Sequence, residues 1–198
     1  MAAPEFNQFR LVGGTALSLQ LGHRISVDID LFSDEPYGSI DFGVIEHFLV
    51  TNFPYLQHFK DIKPGLGKSY TVGANIDDAI KIDIFYIDTF IQPARTIDGI
   101  RLASIEEIIA MKIDIVQRGG RKKDFWDLHE LLQDYSIYQM LQLHLQRYEF
   151  SHDEKLILKN LTDFTIAEDD FNPVCLFGKH WEFIKEDFLE MVAKHATR

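Results

Sequence analysis

Two short motifs near the N-terminus constrain this chain more than any other feature. Gly13 and Gly14 open a helix-like segment, and Asp28 and Asp30 then occupy alternate positions of a strand-like segment, 27–32. Alternate side chains of a strand share one face and lie roughly 6.5–7 Å apart along the chain. The two carboxylates can therefore hold one hard cation between them, or share in two.

The glycine pair adds an anion site to this picture. A Gly-Gly turn lets backbone N–H groups approach a phosphate at the start of the following helix, where the helix dipole also favours an anion. Either motif alone has a plainer explanation, a simple turn or the solvated face of an edge strand. Because the carboxylates follow the glycines within one short helix and one turn, the combination indicates nucleotide chemistry.

Composition limits the class of protein. The 198 residues include 46% hydrophobic and 26% charged residues, which is typical of a soluble globular protein. The single cysteine, Cys175, excludes an internal disulfide framework. No apolar run approaches the roughly 20 residues that span a bilayer. We therefore expect a cytoplasmic protein that does not bind membranes.

Charge argues against one kind of nucleic-acid binding. A formal net charge of −11 is unfavourable for a protein that coats nucleic acid non-specifically, but it leaves a nucleic-acid end open as a substrate. A local basic stretch, Arg118 to Lys123, could still steer such a substrate.

The predicted fold class is α/β (α+β), with a small mixed sheet flanked by helices and followed by a helical C-terminal part. The pattern divides the chain into an α/β core, 1–103, and a helical part, 104–198, that completes the active site. Capping boxes are predicted at Ser104 with Glu107 and at Ser151 with Glu154. The later helices are predicted over 104–118, 122–134, 137–149, 152–162 and 180–195.

Asp83 lies within a nearly continuous apolar run, 79–87, which predicts a strand buried on both faces. An unpaired buried charge is costly, so Asp83 needs a partner. In one interpretation, Asp83 forms a hydrogen bond to a neighbouring loop or to an arginine. In the other, it is a third carboxylate of the site, beside Asp28 and Asp30.

Three further charged residues have two interpretations each. Lys112 falls on the apolar arc of its helix, so it either extends to solvent or reaches an anion, which would be a triphosphate or the carboxylate cluster. Asp124 is a first-turn cap or a site residue. Arg24 either forks onto phosphate oxygens or forms a structural ion pair.

The sequence resembles the AbiEii/AbiGii toxins, within the polymerase-beta-like nucleotidyltransferases, over about residues 9–132. One matching block is Gly13-Gly14-Thr15-Ala16-Leu17 followed by Gly22-His23-Arg24-Ile25-Ser26-Val27-Asp28-Ile29-Asp30-Leu31-Phe32. The other comprises Lys112, Arg118 and Lys123-Asp124-x-x-Asp127.

The resemblance implies a nucleotidyltransferase fold and a set of site residues. Lys112 and either Asp124 or Asp127 would join the active site. Asp28, Asp30 and Asp83 would hold Mg²⁺ or Mn²⁺. The NTP would be bound by Gly13, Gly14 and Thr15, assisted by Arg24, Ser26 and Lys112.

The implied reaction is transfer of a nucleoside monophosphate from an NTP to an acceptor hydroxyl, with release of pyrophosphate. The acceptor would be RNA, at the 3′ end of a tRNA. The protein would be the toxin of an AbiE-like type IV toxin–antitoxin system, with a cognate antitoxin encoded nearby. Two alternatives remain open: a nucleotidyltransferase of the same fold that modifies a protein or a small molecule, and a non-catalytic nucleotide-binding module.

Overall fold

The computed structural model describes residues 3–58 and 65–197, which belong to two compact units. The first unit comprises Met1–Ala16 and Ser26–Ser104, and the second comprises Leu17–Ile25 and Ile105–Arg198. The chain therefore leaves the first unit within helix α1 (Gly13–Leu21) and returns to it at Ser26. The nine residues Leu17–Ile25, which precede the predicted boundary at 103, therefore belong to the same unit as the later helices.

The first unit contains a mixed sheet, which confirms the predicted fold class. Its described strands form a seven-stranded sheet in the order β3-β4-β5-β2-β1-β7-β6. Strand β2 pairs parallel to β5 and β1 pairs parallel to β7, while the other neighbours are antiparallel. The strands are β1 (Arg10–Val12), β2 (Ile29–Ser33), β3 (Tyr55–His58), β4 (Gly67–Gly73), β5 (Ile80–Tyr86), β6 (Arg95–Ile97) and β7 (Ile100–Leu102).

Strand β5 differs from its prediction in how it is buried. Ile82 and Ile84 are buried, whereas Lys81 is exposed and Asp83 is half-buried. Because successive side chains of a strand point to opposite faces, β5 has the buried isoleucines on one face and the charged Lys81 and Asp83 on the other. The prediction of burial on both faces was wrong, since the apolar run 79–87 contains Lys81 and Asp83 on a single face.

Helix α2 (Phe42–Asn52) belongs to the same unit and starts at a side-chain cap. The Asp41 carboxylate accepts hydrogen bonds from the backbone N–H groups of Gly43 and Val44, at 3.0 and 3.2 Å. These bonds satisfy donors that have no partner within the helix. The helix buries Ile45 and Leu49 in the core.

The second unit is helical. Its helices after residue 104 lie close to the predicted bounds, with the short helix α7 added. They are α3 (Ile105–Gln117), α4 (Lys122–Leu131), α5 (Ile137–Arg147), α6 (Glu154–Asn160), α7 (Thr165–Glu168) and α8 (Trp181–Ala196). Among these described segments, none is long and apolar enough to cross a membrane.

Aromatic side chains hold α4 in the core of the second unit. Phe125 is fully buried, and its ring centroid lies 5.3 Å from that of Phe164 and 5.7 Å from that of Phe188. Trp126 stacks on Trp181, with centroids 6.2 Å apart. Tight packing of this kind fixes the rotation of the helix, and with it the direction of the α4 carboxylates.

A short antiparallel bridge ties residues 23–25 to a late loop of the same unit. Leu176 donates its backbone N–H to the carbonyl oxygen of His23, and Ile25 donates to that of Val174, both at 2.9 Å. This bridge fixes the backbone on both sides of Arg24. It was absent from the sequence prediction, because loop 171–178 has no strand-like alternation.

Candidate active site

Two of the predicted metal ligands lie side by side in the first unit. Strands β2 and β5 are parallel neighbours, and Asp30 is the register partner of Asp83. Neighbouring strands lie about 4.8 Å apart, and register partners project from the same face. The fold therefore places the Asp30 and Asp83 carboxylates together, although 53 positions separate them in the sequence.

Gly13 lies against the Asp30 carboxylate. Its φ of 67° is in the left-handed region, and a Cβ built on it would stand 2.6 Å from Asp30 Oδ2. A side chain at this φ would be strained and would push the Asp30 carboxylate aside, so glycine favours the close approach of the start of α1 to this carboxylate. The glycine and aspartate motifs of the sequence thus meet at one place.

Asp28 occupies a different position from the one predicted. Strand β2 begins at Ile29, so Asp28 precedes it rather than lying within a strand over 27–32. Its backbone is held by Thr15, whose hydroxyl donates to the Asp28 carbonyl oxygen. The Thr15 oxygen also lies 3.0 Å from Ser26 Oγ. Both hydroxyls predicted to seat phosphates therefore also join the start of α1 to the residues before β2.

Asp83 has two close partners that the sequence prediction missed. Ser69 Oγ donates to Asp83 Oδ1 and Lys81 Nζ donates to Oδ2, each at 2.6 Å. Ser69 lies on β4, where it is the register partner of Asp83 on β5. Lys81 could have been found, because the i, i+2 spacing places it on the face of Asp83. Ser69 could not, because strand register is a tertiary property.

The donor chemistry of this face fits a hard divalent cation. Asp30 and Asp83 supply carboxylate oxygens on this face, the ligands that Mg²⁺ and Mn²⁺ prefer, and Asp28 directly precedes the strand of Asp30. Within 3–58 and 65–197, no group of three acidic, histidine or cysteine side chains is close enough to hold a metal ion. Asp83 faces Lys81 and Ser69 instead. A metal would thus need Asp83 to exchange Lys81 for the cation, and the metal assignment stays a prediction.

A second cluster of charged residues lies inside the helical unit. Lys112, on α3, is only 3% exposed, so it does not extend to solvent. Its Nζ lies 2.6 Å from Asp124 Oδ1 and 2.8 Å from Asp127 Oδ2. The i, i+3 spacing places both carboxylates on one side of α4. The anions that Lys112 contacts are therefore carboxylates of the neighbouring helix.

Asp127 is the centre of this cluster. Arg24 binds it with a two-pronged fork, Nε to Oδ1 at 2.5 Å and Nη2 to Oδ2 at 2.8 Å. His23 Nε2 lies 2.8 Å from the same Oδ1, a contact that needs the ring proton on Nε2. With Lys112, three side chains converge on one fully buried carboxylate.

Asp124 has the capping role that the sequence allowed, and it also pairs with Lys112. Its Oδ1 accepts from Lys112, and its Oδ2 accepts from the backbone N–H of Arg121 at 3.0 Å. The second bond satisfies a donor at the start of α4, as a capping residue does. Asp124 is thus both a helix cap and a member of the ion cluster.

The charges in the cluster balance: Arg24 and Lys112 match Asp124 and Asp127. Burial by itself would raise the pKa of Asp127, but the Lys112 charge and the hydrogen bonds from Arg24 and His23 outweigh it and hold that pKa far below its usual range. Burial likewise opposes the charged form of Lys112, and the charges of Asp127 and Asp124 nevertheless raise its pKa. Both ions stay charged at neutral pH.

These contacts bear on two predicted NTP ligands. The Arg24 guanidinium and the Lys112 ammonium both bind carboxylates in this structure, so an NTP would have to share or displace those contacts. Their assignment to the NTP stays a prediction, as does the choice between Asp124 and Asp127.

The predicted basic stretch is largely neutralised within the chain. Arg118 pairs with Asp114, and Arg121 pairs with Asp170 at 2.9 Å. Lys122 is buried, and its Nζ donates to the Glu168 carbonyl oxygen at 3.2 Å. This stretch is therefore a weaker candidate for steering a nucleic acid than its sequence suggests.

Comparisons with known proteins agree with this architecture. A family model described as nucleotidyl transferase AbiEii toxin, type IV TA system, matches residues 1–197. The uncharacterized protein aq_aa25 of Aquifex aeolicus (strain VF5) is 29% identical over 201 residues, covering 96% of this chain and 88% of that protein.

Two solved structures share the fold. JHP933 from Helicobacter pylori superposes with a TM-score of 0.58 at 22% identity, over 94% of this chain and 82% of the other. MenT4, the nucleotidyltransferase toxin Rv2826c from Mycobacterium tuberculosis H37Rv, superposes with a TM-score of 0.60 at 14% identity, over 94% of this chain and 76% of the other. At such identities the likeness concerns the fold, while the family match spans nearly the whole sequence. The chain therefore belongs to the AbiEii nucleotidyl transferase toxin family of type IV toxin–antitoxin systems and is a nucleotidyltransferase.

Proposed function

We propose that this protein transfers a nucleoside monophosphate from an NTP to a hydroxyl of RNA, at the 3′ end of a tRNA, with the help of Mg²⁺ or Mn²⁺. It acts in the cytoplasm as the toxin of a pair whose antitoxin is encoded nearby. The acceptor and the setting rest on the family resemblance. The chemistry rests on the carboxylate face of the sheet.

The pairing of Asp30 with Asp83, with Gly13 packed against Asp30, is the observation that carries this proposal. Asp28, Asp30 and Asp83 would hold the cation. When bound, such a cation neutralises charge that develops on the phosphate and activates the attacking oxygen. A glycine-opened helix start beside a carboxylate pair is suited to binding a metal–triphosphate.

The reaction exchanges one phosphorus–oxygen bond for another. The acceptor oxygen bonds to the α-phosphorus, the bond from that phosphorus to the bridging oxygen of the β-phosphate breaks, and pyrophosphate leaves. The acceptor hydroxyl loses its proton to solvent or to a carboxylate. Gly13, Gly14 and Thr15, together with Ser26, would seat the β- and γ-phosphates.

Label transfer tests this function. The purified protein is incubated with each α-³²P-labelled NTP, total RNA and total protein, with Mg²⁺ or with EDTA. We expect label on RNA of tRNA size, lost with EDTA and in Asp30→Asn. The matched variant Asp134→Asn, altered at an exposed turn, should label RNA normally. Label on protein would favour the alternative acceptor, and no transfer would favour a non-catalytic module.

A further inference from the structure

We propose that Lys81 is an exchangeable counterion of the carboxylate face, which binds Asp83 until a divalent cation displaces it and then binds the phosphates of the NTP. The cation and the triphosphate would therefore bind cooperatively. This inference rests on the proposed function, because it concerns the same carboxylates.

The contact between Lys81 and Asp83 is close and open to exchange. The Nζ–Oδ2 distance is 2.6 Å, and the Lys81 side chain is 49% exposed while that of Asp83 is 19% exposed. The register partner of Lys81 on β4 is Thr71, which carries no charge. Lys81 thus neutralises Asp83 without being buried, and it can leave without opening the core.

A metal ion and the Lys81 ammonium compete for the same oxygen. Ser69 donates to Oδ1 and Lys81 to Oδ2, so both oxygens of Asp83 have a partner. A carboxylate oxygen has two lone pairs, which lets the Ser69 hydrogen bond coexist with a metal. An ammonium in contact with an oxygen that also binds a dication is strongly repelled by that dication, because like charges at that separation repel. Lys81 must therefore move when Asp83 binds a metal.

The triphosphate provides the displaced ammonium with a new partner. Lys81 has a flexible four-carbon side chain on the same face as Asp30 and Asp83. A triphosphate bound to a cation on that face brings phosphate oxygens within reach of the side chain. Because binding linkage is reciprocal, a nucleotide that stabilises the displaced Lys81 strengthens metal binding by the same factor as the metal strengthens nucleotide binding.

Lys68 is a matched control within the same unit. It pairs with Glu46 at 2.7 Å and is 25% exposed. Ser69 faces Asp83, so Lys68, one position earlier, projects from the opposite face of the sheet. Lys68→Met therefore removes the same charge and one ion pair, but away from the carboxylate face.

The test measures Mn²⁺ binding to the full chain by electron paramagnetic resonance, with and without a non-hydrolysable triphosphate analogue. Without nucleotide, Lys81→Met should bind Mn²⁺ about two- to fivefold more tightly than wild type, the size expected for an exposed ion pair. The analogue should strengthen Mn²⁺ binding less in Lys81→Met than in wild type. Lys81→Arg and Lys68→Met should resemble wild type, and melting curves check that every variant is folded.

Each contrary result has a distinct meaning. Equal Mn²⁺ affinity in wild type and Lys81→Met, together with loss of binding in Asp30→Asn, would overturn the counterion role and leave the proposed function standing. The same tightening in Lys68→Met would also overturn it, because net charge alone would then be the cause. Absence of Mn²⁺ binding to wild type, even with the analogue, would overturn both proposals.

Discussion

At the scale of single residues, the buried ion cluster around Asp127 is the most constrained chemistry in the helical unit. Lys112, Asp124 and Asp127 are each at most 3% exposed. A buried ion pair contributes little beyond a well-packed apolar core, but removing one partner leaves an uncompensated buried charge. These residues are therefore expected to affect stability as well as any role in catalysis.

Lys112→Met should destabilise the protein strongly. It leaves Asp127 with Arg24 and His23, and Asp124 with the Arg121 backbone N–H, so we expect a loss of about 3–5 kcal/mol in the free energy of unfolding. Urea unfolding measures the change. Lys194→Met is the matched control, since Lys194 forms an exposed pair with Glu190 and should change stability by less than about 1 kcal/mol. A wild-type midpoint for Lys112→Met would show that the cluster is not essential to the fold.

The depressed pKa of Asp127 predicts the acid sensitivity of the protein. Because the folded pKa lies below the ordinary value of 3.8, the contribution to stability is complete above that pH and is lost as the pH falls through the folded pKa. Asp127→Asn should therefore lose less stability than wild type as the pH falls from about 5 to about 2, roughly the range over which the unfolded chain takes up this proton. Urea midpoints across this range measure the effect. Asp134→Asn should keep the wild-type slope, and an equal slope in Asp127→Asn would contradict the assignment.

At the scale of elements, the two ends of α1 show that two glycines with the same backbone conformation can have different functions. Gly13 and Gly22 have nearly the same left-handed φ, 67° and 66°. A Cβ at Gly13 would meet Asp30 Oδ2 at 2.6 Å, whereas a Cβ at Gly22 would meet nothing within 4 Å. One glycine thus serves a close approach, and the other only ends the helix.

This difference can be measured with a pair of variants. Gly22→Ala should cost about 1–2 kcal/mol, the strain of a left-handed alanine. Gly13→Ala should cost more and should also reduce nucleotidyl transfer, because its methyl group displaces the Asp30 carboxylate. Thermal unfolding and label transfer are compared for both. Equal losses of activity in the two variants would show that the contact with Asp30 is irrelevant.

Elements with a clear local signal were predictable, and features without one were not. The Asp98-Gly99 turn between β6 and β7 takes positive φ at both residues, as an Asp-Gly hairpin does. The cap of α6 was placed at Ser151, but Asp153 caps it, because its carboxylate accepts from the Leu156 N–H at 3.0 Å. Helix α7 spans only Thr165–Glu168, too few residues to show helical periodicity.

The candidate site divides along the same line. Spacing alone placed Asp28 and Asp30 near each other and marked Lys112 as unusual on an apolar arc. Pairing of Asp83 with Asp30, and the approach of Ser69, depend on strand register. The convergence of His23 and Arg24 on Asp127 depends on a contact between residues 103 positions apart or more. Sequence patterns carry no direct signal for such distant contacts.

At the scale of the whole molecule, ligands should stabilise the protein cooperatively. The net charge of −11 and the carboxylate face both favour binding of a cation. Any ligand that binds only the folded state stabilises it, by about 2.7 kcal/mol at a hundredfold excess over its dissociation constant. A metal and a triphosphate that share one site each neutralise the other's charge.

We therefore expect Mg²⁺ and NTP together to raise the melting temperature by more than the sum of their separate effects. Differential scanning fluorimetry with Mg²⁺, NTP and both measures this directly. Asp30→Asn should lose the cooperative part of the shift while keeping its ligand-free melting temperature close to wild type. Strictly additive shifts in wild type would indicate separate sites.

The central claim is that the carboxylate face transfers the nucleotidyl group of an NTP. The most direct measurement compares label transfer to total RNA from α-³²P-labelled and γ-³²P-labelled NTP, using wild type and a folded Asp30→Asn variant. Label from the α position alone should reach RNA, and Asp30→Asn should reduce it by at least about a hundredfold, more than is typical for loss of an outer-shell metal contact. Transfer of the γ label, or undiminished α transfer by Asp30→Asn, would contradict this account.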